Sequence, residues 1–375
     1  MIHVGLNLVF LTPGEQGGME TYARELTLAL AARHDLRVTS FVNRVGAQRG
    51  GPWSEIGEQV VIPVDARRRV DWVRGEQLHL PRAARRAGVD LVHSLASTAP
   101  LWGGLPRVTT IHDLLYRRVP ESHFGVRGLG MRVLVPAAAR RSTRVVVDAR
   151  STRDDLVSDL GTPPGKIDVV PLAADPGAPA TATPEQELRD RLELGTRPVV
   201  LAVSAKRPHK NLPRLLRAVA EIEPGGRPVT VIPGYATPHE QELWRLAAEL
   251  GIDSDLRMPE WIAAADLEGL YALAEASVFP SLYEGFGLPV LEAMRRGVPV
   301  ACSDRSSLPE VAGDAALMFD PEDVGAIAAA VSRLLADADL RAQLKAAGIR
   351  QAARFTWKNT AELTVDSYRR ALGAA

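Results

Sequence analysis

Short apolar runs alternate with amphipathic stretches along the chain, and the alternation begins afresh in its second half. The first half offers strand candidates at 2–10, 36–42, 59–63, 90–93, 107–111, 144–147 and 167–170, with helical stretches such as 19–33 and 76–87 between them. RPVVLAVSA (197–205) restarts the pattern. A helix at 211–222, a strand at 228–232, a helix at 238–250, a strand at 276–279, a helix from Pro289 and a strand at 299–304 follow. A βαβα rhythm implies a parallel sheet covered by helices on both faces. Two such rhythms predict an α/β chain of two Rossmann-like domains, 1–175 and 176–355.

The segment PLAADPGAPATATP (171–184) is rich in Pro, Ala and Thr and lacks apolar periodicity, as expected of a hinge. At 375 residues the chain exceeds what one core usually supports. No apolar run approaches the length of a membrane span, and the N-terminus reads as a strand and not as a signal peptide. The single cysteine, Cys302, excludes an internal disulfide and a cysteine metal cluster, and it agrees with a cytoplasmic setting. The zero net charge conceals an asymmetry: residues 1–175 hold 23 Lys and Arg against 18 Asp and Glu, a balance of +5 that the rest of the chain cancels. Arginines cluster at 67–69, 82–86, 117–118 and 127–144. They read either as a solvated surface or as one that meets an anionic acceptor or, peripherally, the inner membrane face. Nothing points to nucleic acid.

The densest motif is VFPSLYEGFGLPVLEAM (278–294). It reads as a buried strand, a loop with Gly285 and Gly287, and a helix entered at Pro289, where a missing N–H has no consequence. Backbone N–H groups of Phe286, Gly287 and Leu288 are placed to bind an anion at the helix N-terminus. Glu284 lies in the loop and Glu292 about one turn into the helix, so two carboxylates could read the hydroxyls of a ribose and a hexose. A purely structural strand–turn–helix fits the same spacing. Gly17 and Gly18 precede a helix and would let a phosphate approach the backbone, or they simply make a turn. Lys206, Arg207 and Lys210 follow the strand 197–205, suited to a diphosphate leaving group or to a solvated basic loop. His112 ends the apolar run VTTI and would face a cleft; His93 is a weaker candidate with a structural reading.

These motifs, taken in order, resemble the retaining GT-B glycosyltransferases of family 4. GEQGGMETYARELTLAL (14–30), VTTIHDLLYRRVPE (108–121), VVPLAAD (169–175), AVSAKRPHKNLPRLLRA (202–218) and Glu284-x7-Glu292 with GVPVACSDRSSLPEVAGDAALMFDP (297–321) cover essentially the whole chain. The resemblance implies two domains facing a central cleft, with a C-terminal helix (356–372) that crosses back to the N-terminal domain. It implies an acceptor side in the first domain and a nucleotide-sugar donor side in the second. His112, Glu284, Lys210 and Arg207 would be catalytic. Gly17, Gly18, Lys206, Arg207, Lys210, Glu284, Phe286, Gly287, Leu288 and Glu292 would bind the donor. Relatives place an Arg after a Gly at the strand end where this chain has Ser204-Ala205-Lys206-Arg207, so Lys210 is the firmer match and the choice between Lys206 and Arg207 stays open.

The expected reaction is retaining transfer of a sugar, with a lean to GDP-mannose or a related donor, to a hydroxyl of a glycan, lipid-linked or small-molecule acceptor. No cofactor or metal is expected, because protein cations and a helix dipole can stabilise the departing diphosphate. A nucleotide-sugar epimerase or a non-catalytic binder on the same fold are the alternatives. A dinucleotide dehydrogenase lacks its G-x-G-x-x-G after the first strand.

Overall fold

The computed structural model describes all residues except 16, 121–124, 175–180, 236, 261 and 374–375, and the side chains of 125–129. Residues 175–180 of the expected hinge thus lie outside the described residues. The chain forms two compact units: the described residues of 1–117, 124–173 and 355–375, and those of 118–123 and 174–354.

The first unit is built on seven strands: β1 (Ile2–Leu8), β2 (Leu36–Asn43), β3 (Glu58–Ile62), β4 (Leu91–Ser94), β5 (Arg107–Thr110), β6 (Arg144–Val147) and β7 (Ile167–Val169). They run in the order β3-β2-β1-β4-β5-β6-β7, every pairing parallel. The second unit has β8 (Val199–Leu201), β9 (Val229–Val231), β10 (Leu256–Arg257), β11 (Ala276–Phe279), β12 (Val300–Ser303) and β13 (Ala316–Phe319), ordered β10-β9-β8-β11-β12-β13 and again parallel. Counted from its own first strand, each sheet runs 3-2-1-4-5-6, with a seventh strand added beyond the sixth in the first unit. That is the doubly wound order, in which the crevice for ligands opens at the carboxyl ends where the winding reverses. The reversal falls between β1 and β4 in one unit and between β8 and β11 in the other.

Helical crossovers cover both faces of a parallel sheet, which is why the central strands read as unbroken apolar runs. β8, β9, β11 and β12 are buried at every residue. Val200 of β8, Ala276 and Val278 of β11 and Ala301 of β12 join Leu215 and Leu216 of the helix Leu212–Glu221 and Val331 and Leu334 of the helix Val324–Ala336 in one core. The expected strand 197–205 is shorter, because the chain leaves the sheet after Leu201 to build the loop that carries Lys206 to Lys210. The edge strands β10 and β13 and the helices Gly125–Arg141, Arg150–Leu160, Ala264–Leu273 and Ala338–Ala352 were not read from the sequence. The expected helix 76–87 contains a π-turn at Gly75–His79, between Arg69–Arg74 and Leu80–Ala87. Gly75 is required there: a Cβ would lie 2.6 Å from Val64 Cγ2.

The C-terminal helix, Trp357–Ala371, belongs to the first unit. Thr356 caps it by accepting the N–H of Asn359 at 3.1 Å. Trp357, Ala361, Val365, Tyr368 and Ala371 are buried at i, i+4, i+8, i+11 and i+14, one continuous stripe. Leu363 and Leu372 are only half-buried; alanine, valine and small hydroxyl residues fill out the stripe between Trp357 and Tyr368. Thr360 donates to the Pro171 carbonyl at 2.7 Å, Ser367 to Asp168 at 2.7 Å, and Arg369 pairs with Asp35 at 3.0 Å.

Candidate functional site

In the second unit, two loops converge at the reversal point between β8 and β11. The first carries Lys210 at the end of a 3-10 turn, Pro208–Lys210. Its position is fixed from both sides. The His209 carbonyl accepts the N–H of Leu282 at 2.8 Å, and the Asn211 amide donates to the carbonyls of Pro280 at 3.0 Å and Pro321 at 2.7 Å. Asn211 takes a left-handed backbone (φ 56°), which asparagine tolerates. The second loop runs from Phe279 to the helix Leu288–Arg295, with Gly287 at φ 106° as its cap. A Cβ on Gly287 would also meet Leu308 at 2.6 Å. Ser306 accepts the Glu284 N–H at 2.8 Å, and the Ser307 hydroxyl donates to the carbonyls of Glu284 (3.1 Å) and Phe286 (2.7 Å).

This framework brings the Lys210 ammonium and the Ser281 hydroxyl each within 2.6 Å of Glu284 Oε1. Burial pushes the Glu284 carboxyl up, but the charges of Lys210 and His209 and the hydrogen bonds from Lys210 and Ser281 together outweigh it and hold the carboxyl below the usual range. Glu292 sits on the first turns of the helix and accepts the Tyr271 hydroxyl at 3.3 Å; the Arg296 guanidinium lies 4.8 Å from that ring's centre. The backbone N–H groups of Gly287 and Leu288 have no partner among the described residues. Phe286 contributes backbone only, since its ring is buried. A carboxylate, an ammonium and free N–H groups at one helix N-terminus can hold a polyol and an anion together.

The two adjacent cations differ. Lys206 is fully buried; its ammonium donates to the carbonyls of Gly234 at 2.6 Å and Pro259 at 3.1 Å and faces Glu240 at 3.5 Å. The donor contact expected of Lys206 is therefore corrected to a structural tie between loops. Arg207, half-buried, has no side-chain partner among the described residues, so it is the cation available to a ligand.

In the first unit, Gly17 (φ 51°) precedes the helix Gly18–Ala31, whose first residue is Gly18. His112 follows β5, but its ring is engaged on both sides: Nδ1 with Asp148 at 2.7 Å and Nε2 with the Leu95 carbonyl at 2.8 Å. A carbonyl only accepts, so Nε2 carries a proton, and Nδ1 faces a carboxylate. Burial opposes the charge, yet Asp148 wins and raises His112 to about 9. Burial also pushes the Asp148 carboxyl up; the proton stays on the more basic imidazole. The expected catalytic residue His112 is thus held as a fixed imidazolium whose partner stands 36 residues away. His93 has the structural role, bonded to Tyr368 and Thr110 at 2.8 Å each, and burial lowers it to about 3, so it is neutral.

Sequence reasoning missed Ser281, Asn211, Tyr271, Asp148 and the pair Ser306-Ser307. Asn211 and the serines lie inside the motifs quoted above, but nothing in their spacing reveals that they hold the loops. Two Asp-x-Asp triplets also occur and have structural roles. Asp255 of Asp253-Ser254-Asp255 pairs with Arg197 and Arg227, and Asp337 of Asp337-Ala338-Asp339 caps a helix at the Leu340 N–H. Among the described residues, no three His, Cys, Asp or Glu side chains gather as a metal site, and no helix is long and apolar enough to cross a membrane.

Comparison with known proteins agrees with this architecture. Residues 16–177 match the model of Glycosyltransferase Family 4, and residues 184–351 match that of Glycosyl transferases group 1. The O-antigen chain mannosyltransferase B of Escherichia coli is 33% identical over 268 residues, 70% of this chain and 70% of that protein. The serotype-specific mannosyltransferase WbdA of E. coli is 37% identical over 191 residues, 50% of this chain but 23% of that larger protein. Among solved structures, the sucrose-phosphate synthase of Thermosynechococcus elongatus superposes with a TM-score of 0.79 over the full length of both chains at 20% identity, a likeness of fold. With both halves matched and the GT-B architecture in place, the chain belongs to the family 4, group 1 glycosyltransferases.

Proposed function

We propose that this glycosyltransferase is a retaining, metal-independent enzyme that transfers mannose or a related sugar from a nucleoside diphosphate. The acceptor is a hydroxyl of a glycan, lipid-linked or small-molecule acceptor. The observation that carries the reading is the Lys210–Glu284–Ser281 cluster beside free N–H groups at a helix N-terminus, with Arg207 unpartnered nearby. In this reading the 176–355 half takes the donor and the 1–175 half the acceptor. Glu292 accepts the ribose hydroxyls and Glu284 those of the hexose. As the glycosidic bond lengthens, negative charge gathers on the diphosphate, and Lys210, Arg207 and the N–H groups of Gly287 and Leu288 stabilise it there. The acceptor oxygen bonds to C1 on the face the diphosphate leaves, and a leaving phosphate oxygen takes the hydroxyl's proton. The lean to mannose is supported by the names of the two E. coli relatives. Peripheral membrane contact fits the exposed Arg82, Arg85 and Arg86.

Donor hydrolysis followed by NMR tests this without knowledge of the acceptor. GDP-mannose is expected to be cleaved faster than UDP-glucose, to release the retained anomer first, and to be cleaved equally in EDTA. First release of the inverted anomer would overturn retention, and activity lost in EDTA and restored by Mg²⁺ would overturn metal independence.

A further inference from the structure

Away from the residues discussed so far, the first unit contains an open cavity of about 420 Å³, within the range of small-ligand sites. It lies at the carboxyl ends of β2 and β3. Arg44 follows β2, Val64 and Asp65 follow β3, Arg68 immediately precedes the helix that contains the π-turn, and Asp71, Arg74 and His79 come from that helix. π-turns recur at functional sites, and this one puts Arg74 and His79 on one lining. The walls are tied together: the Arg44 N–H bonds to the Val64 carbonyl at 3.0 Å, and the Asn43 amide donates to the carbonyls of Val9 and Leu11.

The charges are unbalanced. Asp65 is held by a two-pronged contact from Arg67, at 2.6 and 3.0 Å, which neutralises it. Arg44, Arg68 and Arg74 have no side-chain partner among the described residues, against one free carboxylate, Asp71. Arginines elsewhere on this unit, such as Arg33, Arg49 and Arg144, find acidic partners. Three unpaired guanidinium groups around one concavity are more than a carboxylate ligand needs, and their forked donors match the oxygens of a phosphoryl group.

We infer that this cavity binds a phosphoryl group carried by the acceptor, with Asp71 taking a neighbouring hydroxyl. The inference rests on the reading of residues 1–175 as the acceptor side. β2 and β5 are three strand spacings apart, roughly 14 Å. The phosphoryl site therefore stands well along the sheet rim from His112.

Calorimetric titration with inorganic phosphate and with mannose 6-phosphate tests this. Arg207→Ala/Lys210→Ala first removes the donor-side cations. Saturable binding is expected to persist in that variant and to weaken tenfold or more when Arg44→Ala and Arg74→Ala are added. Both arginines are exposed, so an unchanged melting temperature verifies the fold. No saturable binding in the first variant, or binding indifferent to Arg44 and Arg74, overturns the inference. Flotation with phosphatidylglycerol vesicles separates the sources. If the arginine substitutions weaken mannose 6-phosphate alone, the phosphoryl belongs to a saccharide; if they weaken flotation as well, a lipid carrier supplies it. Donor hydrolysis by the wild-type protein reports on the transferase reading separately, so either can fail alone.

Discussion

In the N-terminal unit the reversal point of the sheet is filled by a closed polar network, whereas in the C-terminal unit it carries charged and N–H groups that lack a partner among the described residues. Between β1 and β4 the Asn7 amide donates to Glu76 at 2.9 Å and to Ser94 at 3.1 Å, and Thr98 donates to the same Glu76 oxygen at 3.0 Å. Next to it Tyr22, Thr110, His93 and Tyr368 form a second buried chain of hydrogen bonds that ends on the C-terminal helix. Between β8 and β11 there are instead an ion pair, an unpartnered arginine and free N–H groups above an almost wholly apolar core. One strand order thus serves two purposes. Where the crevice is plugged by a satisfied polar network, the sheet end is rigid; where it is not, fixed charges stand in a geometry suited to an anion.

The sharpest way to break this comparison is to end the chain at residue 355. Losing Trp357, Val365 and Tyr368 exposes buried surface and leaves His93 without its Tyr368 partner. A cost on the order of 5 kcal/mol or more, comparable with the stability of a domain, is expected. Proteolysis should then cut within 1–173 while 184–350 resists. Equal resistance of both units would show that the helix is not part of the first one's core.

Next comes the contrast between charges that wait and charges that tie. Lys210→Met, Glu284→Gln and Arg207→Ala should each lower donor turnover, the first two by about 10²–10³-fold, with little change in melting. Lys206→Met should do the opposite. It leaves two buried carbonyls and Glu240 unpaired, costing about 2–3 kcal/mol of stability, while the folded fraction turns over normally. A turnover loss in Lys206→Met without destabilisation would restore it as a phosphate contact.

The smallest effect is a pH dependence confined to the first unit. Burial raises Glu76 from 4.5 to about 7 against the pull of Asn7, Thr98 and Gln77, and His112 lies near 9. Both native values exceed the unfolded ones, so the native state holds protons that the unfolded chain has released, and stability falls as pH rises. Glu76 contributes between pH 4.5 and 7 and His112 between 6.5 and 9, at most about 3 kcal/mol each. Chemical denaturation of Glu76→Gln should show the lower slope flattened. A slope equal to wild type would mean that Glu76 is ionised in the native protein at pH 5.

Much of this was legible in the sequence for a plain reason. The inner strands of both sheets are largely buried, so each declares itself as an apolar run, and the partly exposed edge strands β3 and β7 of the first sheet keep enough valine and isoleucine to be read as well. The edge pair of the second sheet was not, since two residues at β10 and the half-exposed β13 bury too little to leave a pattern. The C-terminal helix was expected from its helical pattern, yet its buried stripe runs through alanines and hydroxyl residues that do not read as apolar.

The site divides the same way. Local sequence determined where anion-binding groups would stand: Gly287 and Pro289 make the turn into the helix, and Glu284 and Lys210 flank it at strand ends. What it could not decide was which neighbour does which work. Lys206 and Arg207 are equivalent as letters, and only the approach of the Gly234 and Pro259 carbonyls, 28 and 53 residues away, turns one inward and leaves the other free. His112 reads as a histidine at a strand end, and only the folded sheet brings Asp148 and the Leu95 carbonyl from neighbouring strand ends to hold both its nitrogens. A residue's chemistry is set by its side chain, but its availability is set by partners that only the folded sheet brings within 3 Å.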